Sequence, residues 1–420
     1  MKITVAFALA ADLLFSATTH AFALPPLSTT KLRKRAPGLS ANANACDAPV
    51  SLNASTNIWK NYTLHPTLAW RNQINAAAAA IPDVELRKQA LEVGKSGTFV
   101  WIEGKSQISK IEDVVKDLPC KNVLGLVISG IENKACLSAG TGLKQTYDYA
   151  AEYIDPIAKV IKAHPNSAFA LIVEPGVAGN VLLDVKEYYG VWENENSTSC
   201  KPVIELWRQR VQYALKALNL PNVVLYLDAA NGDQLGWRDT ISYVAHEFTN
   251  IYVGAGSPSQ FRGLATNVAA YHSWDASPGE NFLNVDAAPA IDALSEKRYV
   301  YYLRKSLNAF KSPLPTYHIM DTSRNAVLGL RRDWRDWCNI NGAGFGVRPG
   351  LQATSDPMLD NFVWVKWGGV SDGSSEVGAA TYDSYCAKDD AVKPSPERGQ
   401  WFQSYFETLV SNAKPVFRPS

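Results

Sequence analysis

The stretch Ala170-Leu171-Ile172-Val173-Glu174-Pro175-Gly176 decides how this chain is read. An apolar run closed by Glu-Pro reads as a buried barrel strand that delivers its C-terminal tip to a site. The tip residue, Gly176, has no side chain to deliver. Working outward, similar runs appear at Thr98–Glu103, Val123–Ser129, Asn222–Asp228, Asn250–Val253, Gly263–Val268, Thr316–Met320 and Phe362–Lys366, and the quoted strand itself extends over Ala168–Glu174. Between them lie amphipathic segments: Ser106–Asp117, Leu143–Ala163, Val203–Leu218, Trp237–Phe248 and Ser295–Phe310. Nearly all-apolar strands alternating with helices predict a parallel sheet covered on both faces, hence an α/β fold. Period alone does not separate a closed barrel from a doubly wound sheet. In a barrel, function sits at the C-terminal strand ends. Those ends carry Trp101, Glu103, Ser129, Glu174, Gly176, Asp228, Asn267, Asp321 and Lys366, although any strand can end in a polar residue.

The totals narrow the function classes. With 420 residues, 46% hydrophobic and 19% charged, the chain can bury one large core. A net charge of +1 supplies no basic field for nucleic acid or an anionic membrane, whereas neutral partners stay open. Twelve Trp residues serve either a Trp-rich core or flat stacking platforms. Lys2, the apolar run Ile3–Ala17 and Ala21-Phe22-Ala23 form a leader pattern, so residues 1–23 are expected to be a signal peptide and the protein secreted. That run is too short to span a bilayer, and no later run is long enough either. Residues 24–45 read as a propeptide or disordered arm, with Lys34-Arg35 either a dibasic processing site or an exposed charge cluster. In a secreted chain six Cys read as disulfides, with 15 possible pairings. No Cys-x-x-Cys or His-x-x-x-His spacing supports a metal, and no nucleotide or flavin signature is present, so no cofactor is expected. Asn53, Asn61 and Asn196 begin glycosylation acceptor triplets.

Several ordered strings carry a family resemblance. They are Asn222-Val-Val-Leu-Tyr-Leu-Asp228-Ala, Leu235-Gly-Trp237, Arg262-Gly-Leu-Ala-Thr-Asn-Val268, Trp334-Arg-Asp-Trp337-Cys338-Asn339, Gly344-Phe-Gly-Val-Arg-Pro349, Phe362-Val-Trp-Val-Lys366 and Asp372-Gly373. From about Trp59 onward the chain resembles glycoside hydrolase family 6, the fungal cellobiohydrolase II type. The resemblance implies a distorted (β/α) barrel with parallel strands and surrounding helices, formed by a single domain at residues 46–420. No separate cellulose-binding module is seen. It implies a β-1,4-glucan or cello-oligosaccharide partner for a monomeric protein, and the disulfides Cys136–Cys200 and Cys338–Cys386, which leaves Cys46 for Cys120.

Inverting glycoside hydrolysis needs one carboxylic acid to protonate the leaving oxygen and a second carboxylate to activate water. By resemblance Asp372 takes the base position and Asp228 that of a buried carboxylate stabilising developing positive charge. The family's acid falls on Gly176, and its partner aspartate on Ala135, in Ser129-Gly-Ile-Glu132-Asn-Lys134-Ala135-Cys136. There a tyrosine has become Ser129, a proline Glu132 and an arginine Lys134. Among sugar-contact positions, Trp101, Trp237, Trp337 and Lys366 are retained, and Glu103 stands for an aspartate. Asn231 replaces a histidine, Gln234 a tryptophan, Ala270 an asparagine and Val370 a glutamate.

Each retained residue also has a plain reading: Trp101, Trp334 and Trp337 as core aromatics, Asp228 as a cap, Lys366 as an ion-pair partner for Asp372, and Asp372 as a turn residue. Glu132, Glu174 and Asp233 are the substitutes for the lost acid. Glu174 lies two residues before Gly176, an offset of about 6–7 Å along a strand. The expectation is a glucan-binding protein with greatly reduced or no hydrolysis. The alternatives are an active glucanase with a relocated acid and a scaffold that binds no sugar.

Overall fold

The computed structural model describes residues 46–132, 134, 145–182, 201–276, 295–350 and 356–419. Among them are eight strands: β1 (Thr63–Leu64), β2 (Val100–Glu103), β3 (Asn122–Ser129), β4 (Ala168–Val173), β5 (Val223–Asp228), β6 (Phe261–Thr266), β7 (Tyr317–Asp321) and β8 (Leu359–Val363). The helices are α1 (Leu68–Ala79), α2 (Val84–Val93), α3 (Ser109–Val115), α4 (Asp155–Ala163), α5 (Ala178–Leu182), α6 (Lys201–Ala217), α7 (Gly232–Leu235), α8 (Ile241–Gly254), α9 (Glu296–Ala309) and α10 (Gln403–Ser411).

All strand pairs are parallel. β3 to β8 follow one another in chain order, while β1 and β2 share β3, β1 beside its first two residues and β2 beside Leu126–Ser129. Beyond β8 the sheet returns towards β2: the Phe99 N–H and the Thr98 hydroxyl both donate to the Trp364 carbonyl at 2.9 Å. Consecutive order with that return contact makes a nearly closed barrel and rules out the doubly wound sheet, whose strand order reverses at a switch point.

Period-two alternation sorts the strands' side chains into two cores. Leu124, Leu126 and Ile128 of β3, Phe169, Leu171 and Val173 of β4, and Val223, Leu225 and Leu227 of β5 face the helices. α6 answers them with Ile204, Trp207, Val211, Ala214 and Leu215, a stripe at helical spacing. Val123, Val127, Ala170, Ile172, Val224, Tyr226, Ala265, Ile319 and Val363 fill the barrel instead. Ser129, Asp228 and Asp321 continue that inward register at the C-terminal mouth, and all three are buried. Gly263 is required inside the barrel wall, because a Cβ there would lie 1.9 Å from the Tyr317 carbonyl oxygen.

Three segments differ from the sequence reading. Asn250–Val253 is no strand; it closes helix α8, where Val244, Phe248, Ile251 and Tyr252 are buried at helical spacing. A four-residue apolar run cannot be assigned by period, and the longer helical stripe decides it. The last barrel strand begins earlier than Phe362, at Leu359. The helix predicted over Leu143–Ala163 begins, in its described part, as a π-turn at Ala150–Ile154 that runs into α4. Pro156 has no N–H for the Glu152 carbonyl, and the turn ahead widens, with the Ile154 N–H reaching the Tyr149 carbonyl at 3.0 Å. Cys46–Cys120 and Cys338–Cys386 are bonded as the resemblance implied. Cys136–Cys200, Ala135, the leader and the arm lie outside the described residues.

Candidate active site

The mouth is built from the loops that follow the strands, and the turn after β4 is one of several that contain left-handed residues. Glu174 has φ +51° and Gly176 φ +78°. A left-handed φ on glutamate is uncommon and breaks strand alternation, so Glu174 does not point where Gly176 does. Its carboxylate instead accepts the Gly130 and Ile131 N–H groups at 2.8 and 3.1 Å and the Tyr149 hydroxyl at 2.7 Å. Burial raises its pKa against these donors and the Lys134 charge. Glu174 therefore pins the exit of β3 and is spent there.

Gly176 is exposed, and a Cβ built on it would meet nothing nearer than Lys134 Cδ at 3.9 Å. Its N–H donates to Asp228 Oδ2 at 3.2 Å, and the Ala230 N–H donates to the same oxygen at 3.3 Å. Asp228 Oδ1 is buried without a hydrogen-bond partner. Burial pushes the Asp228 carboxyl up to about 7, against the two amides and Lys134. The Lys134 ammonium donates to Ser129 Oγ at 2.7 Å and to the Pro175 carbonyl at 2.8 Å. Burial pulls it below the usual lysine value, opposed by Glu174, Glu103 and Asp228. Ser129, small where the resemblance expects a tyrosine, is what Lys134 leans on.

Across the mouth, Asp372 is far more heavily supported. Arg324 Nη1 reaches its Oδ2 at 2.6 Å and Lys366 Nζ its Oδ1 at 3.1 Å. The Asn339 N–H donates to Oδ2 at 3.0 Å, and the Asn339 side-chain oxygen accepts the Asp372 N–H at 2.9 Å. Burial alone would raise this carboxyl; Arg324, Lys366 and the Asn339 amide hold it down at about 2. Arg324 also donates to the Ala269 carbonyl and stacks 4.4 Å above the Tyr271 ring. Neither Arg324 nor Tyr271 was picked out from sequence; both lie in loops far along the chain from Asp372, and only Asp372's own string gave a signal. Between the two sides, Asp321 accepts four backbone N–H groups, from Ala269, Ser323, Val365 and Lys366, which fastens the loops after β6, β7 and β8 together.

The remaining predicted positions differ in their exposure and in their partners. Trp101 and Trp337 are half-buried; Trp101 Nε1 donates to the Val365 carbonyl at 2.9 Å, and Trp337 lies 6.2 Å from the Tyr385 ring. Glu103 is exposed at the rim beyond Trp101. Trp237 donates to the Asp233 carbonyl at 2.7 Å and meets Trp334 edge-on at 5.2 Å. Asn231 caps α7, its side-chain oxygen accepting the Gln234 N–H at 3.0 Å. Gln234 crowds Gly179, where a Cβ would come within 2.5 Å of its Oε1. Ala270 and Val370 are partly exposed, and neither offers a polar side chain.

A buried charge network below α7 accounts for Asp233. It pairs with Arg331 at 2.6 Å and with His272, which on its other nitrogen meets Glu296 at 2.6 Å. Burial opposes protonation of His272, yet the two carboxylates hold its pKa up to about 10. Glu132 is likewise engaged, accepting the Thr146 hydroxyl at 2.9 Å and the Thr146 N–H at 2.6 Å. All three substitute acids weighed from sequence are thus committed to other partners.

The sequence and the barrel fold are both matched among known proteins. The profile of Glycosyl hydrolases family 6 matches residues 59–413. The chain is 41% identical over 375 residues to the 1,4-beta-D-glucan cellobiohydrolase CEL6C of Podospora anserina, covering 88% of this chain and 91% of that protein. It is 33% identical over 357 residues to Exoglucanase 3 of Agaricus bisporus, covering 83% and 76%. Among solved structures, cellobiohydrolase II (Cel6A) from Humicola insolens in complex with glucose and cellotetraose superposes with a TM-score of 0.75 at 30% identity, covering 86% of this chain and all of that one. CcCel6C from Coprinopsis cinerea, a glycoside hydrolase family 6 enzyme, gives 0.75 at 27% identity, covering 87% and 100%. A profile match along most of the chain, agreeing with the fold, leaves one conclusion: the chain belongs to glycosyl hydrolases family 6.

Proposed function

We propose that this protein is a secreted, monomeric β-1,4-glucan-binding member of its family whose hydrolysis is greatly reduced. The observation that carries the reading is Gly176: the residue aimed into the mouth at the tip of β4 has neither a carboxyl group nor a Cβ. Glu132, Glu174 and Asp233 are held by other donors and cannot step in. The half-buried Trp101 and Trp337 and the exposed Glu103 supply a chain-binding face, in keeping with the cellotetraose complex of the Humicola insolens relative. Asp372 stays ionised and is the base that takes a proton from water. General acid help is worth about 10²–10⁴ in rate, and a sugar alkoxide is a demanding leaving group, so turnover falls by at least that order. The apolar leader and two disulfides support an oxidising, extracellular setting.

Calorimetry with cellotetraose, run beside turnover of cello-oligosaccharides and of β-cellobiosyl fluoride, tests this. Fluoride leaves without a proton. Binding with brisk fluoride turnover and slow or absent oligosaccharide turnover is expected. Brisk oligosaccharide turnover sinks the reading, as does no binding of either sugar.

A further inference from the structure

We propose that the segment closing the far end of the barrel is a glycosylated plug, carrying N-linked oligosaccharides on Asn53 and Asn61. The proposal rests on the secretory part of the reading above, and goes beyond it by naming the modified side chains and the surface they cover. Two of the chain's acceptor triplets fall among the described residues, Asn53-Ala54-Ser55 and Asn61-Tyr62-Thr63. The other begins at Asn196, outside them.

Residues 50–60 cross the end of the barrel opposite the mouth. Val50, Leu52, Ala54 and Ile58 join the side chains that fill the barrel interior. The Val50 and Leu52 N–H groups donate to the Pro165 and Pro221 carbonyls at 2.8 Å, just ahead of β4 and β5. Arg262, near the start of β6, donates to the Ala54 carbonyl at 3.2 Å. Asn57 Nδ2 donates to the Asp360 carbonyl at 2.8 Å, near the start of β8, and Trp59 Nε1 to the Tyr226 hydroxyl at 3.0 Å. The Cys46–Cys120 disulfide fastens the chain just before this segment. Burial then alternates: Leu52 and Ala54 point in, so Asn53 and Ser55 point out, and both are exposed.

The asparagines of this stretch use their amides differently. Asn57 commits both ends, since its Oδ1 also accepts the Trp59 N–H at 2.9 Å. Asn53 Oδ1 accepts the Ser55 N–H at 2.9 Å and the Ser55 hydroxyl at 2.7 Å. That contact sets the triplet's hydroxyl against the amide and leaves Nδ2 with no hydrogen-bond partner among the described residues. Asn61, just after the 3-10 turn Ile58–Lys60, is exposed, as is Thr63. Its side-chain amide makes no hydrogen bond among the described residues, its backbone N–H alone reaching the Ile58 carbonyl at 2.9 Å. A bulky, hydrated oligosaccharide fits on exposed side chains of this kind and not on Asn57.

In the step, an Nδ2–H bond gives way to a bond from Nδ2 to C1 of the first N-acetylglucosamine. The co-reactant is a lipid diphosphate-linked oligosaccharide of the secretory compartment. Its bond from C1 to the diphosphate oxygen breaks with the electron pair staying on that oxygen, and the amide proton is released.

The test secretes the chain, its own residues 1–45 in place, from a yeast host. Protein from the medium is treated with an endoglycosidase that leaves one N-acetylglucosamine on each modified asparagine, then reduced, cut with trypsin and read by mass spectrometry. Cleavage after Lys60 puts the two sites on different peptides. Expected is one N-acetylglucosamine on each peptide, lost from its own peptide alone in Asn53→Gln and in Asn61→Gln. Thr63→Val keeps the asparagine but removes the hydroxyl, and is expected to clear residue 61 as well. A bare Asn53 or Asn61 in protein from the medium overturns the proposal and leaves secretion standing. Protein retained in the cells with both bare overturns the two together. A mark on residue 61 that persists in Thr63→Val overturns it too, because the triplet is then not what is read. Cellotetraose affinity in the double Asn→Gln variant, expected within about twofold of the glycosylated protein, reports separately on the mouth.

Discussion

The two sides of the barrel mouth have been treated very differently. Around Asp372, two cations, an asparagine and a tyrosine converge from the loops after β6, β7 and β8. Around Gly176, the Asp228 carboxylate that accepts its N–H and one lysine are the near neighbours, and the space beyond is open. The difference teaches that charge gathers at a mouth where it also supports the fold, as it does between Arg324 and Asp372, and is sparse where no buried cation needs a partner. Arg324 is wholly buried and must stay neutralised, which ties Asp372 to stability. The nearest side chain that a Cβ on residue 176 would meet among the described residues is Lys134, already bonded to Ser129 and Pro175.

If that contrast is right, Asp372→Ala is the most damaging single change. It strands a buried guanidinium and is expected to cost about 3–5 kcal/mol in urea unfolding. A loss below about 1 kcal/mol would break the comparison. The acid limb sharpens it. Asp372 has its folded pKa depressed from 3.8 to about 2, so its stabilisation is complete above pH 3.8 and disappears as pH falls towards 2.

The Gly176 side, read as the proposed function has it, comes next. Gly176→Asp with Ala135→Asp is expected to raise cello-oligosaccharide hydrolysis by about 10²-fold, less than the full acid contribution. Aspartate at φ +78° carries strain of roughly 1–2 kcal/mol, although it tolerates that region better than most residues. A folded, inert double variant would show that the defect reaches beyond the two missing carboxyls.

A smaller effect comes from Asp228 and runs opposite in sign to Asp372. Its folded pKa is raised from 3.8 to about 7, so the native state binds the extra proton and loses stability as pH climbs through that window. Asp228→Asn should therefore be more stable than wild type by roughly 1–2 kcal/mol at pH 8, with the gain fading by pH 4; loss of an anion near Lys134 keeps it below the full linkage value. Melts at both pH values decide it. A constant difference would mean that Asp228 is not the titrating group.

The smallest effect distinguishes a cap from a sugar contact. Asn231→Ala removes the α7 cap and should cost about 1 kcal/mol, with cellotetraose affinity unchanged within twofold. A tenfold weaker complex would return Asn231 to the binding surface.

Much of this was legible in the chain itself. The apolar runs at Ala168–Val173 and Val223–Asp228 announce buried parallel strands, since only a sheet covered on both faces needs apolar residues at every position. That residue 176 is a glycine, the starting point of the proposed function, is visible without any coordinates. Asn250–Val253 was misread because four apolar residues fit either period, and the packing of the whole of α8 decides the matter. Closure of the barrel was also undecided by pattern, because it depends on the Phe99 amide meeting the Trp364 carbonyl across 265 residues of chain.

What the amino acids determined alone is which groups exist: a glycine at 176, carboxylates at 228 and 372, and tryptophans at 101, 237 and 337. Which groups are free to act was decided by tertiary structure. Glu174, Asp233 and Glu132 are all carboxylates near the right strands, and folding gives each of them donors. Hydrogen-bond saturation and burial are properties of what surrounds a side chain in space, and neighbours brought from distant parts of the chain set both. Asp228, one oxygen tied to Gly176 and the other left without a partner, is the clearest product of that surrounding.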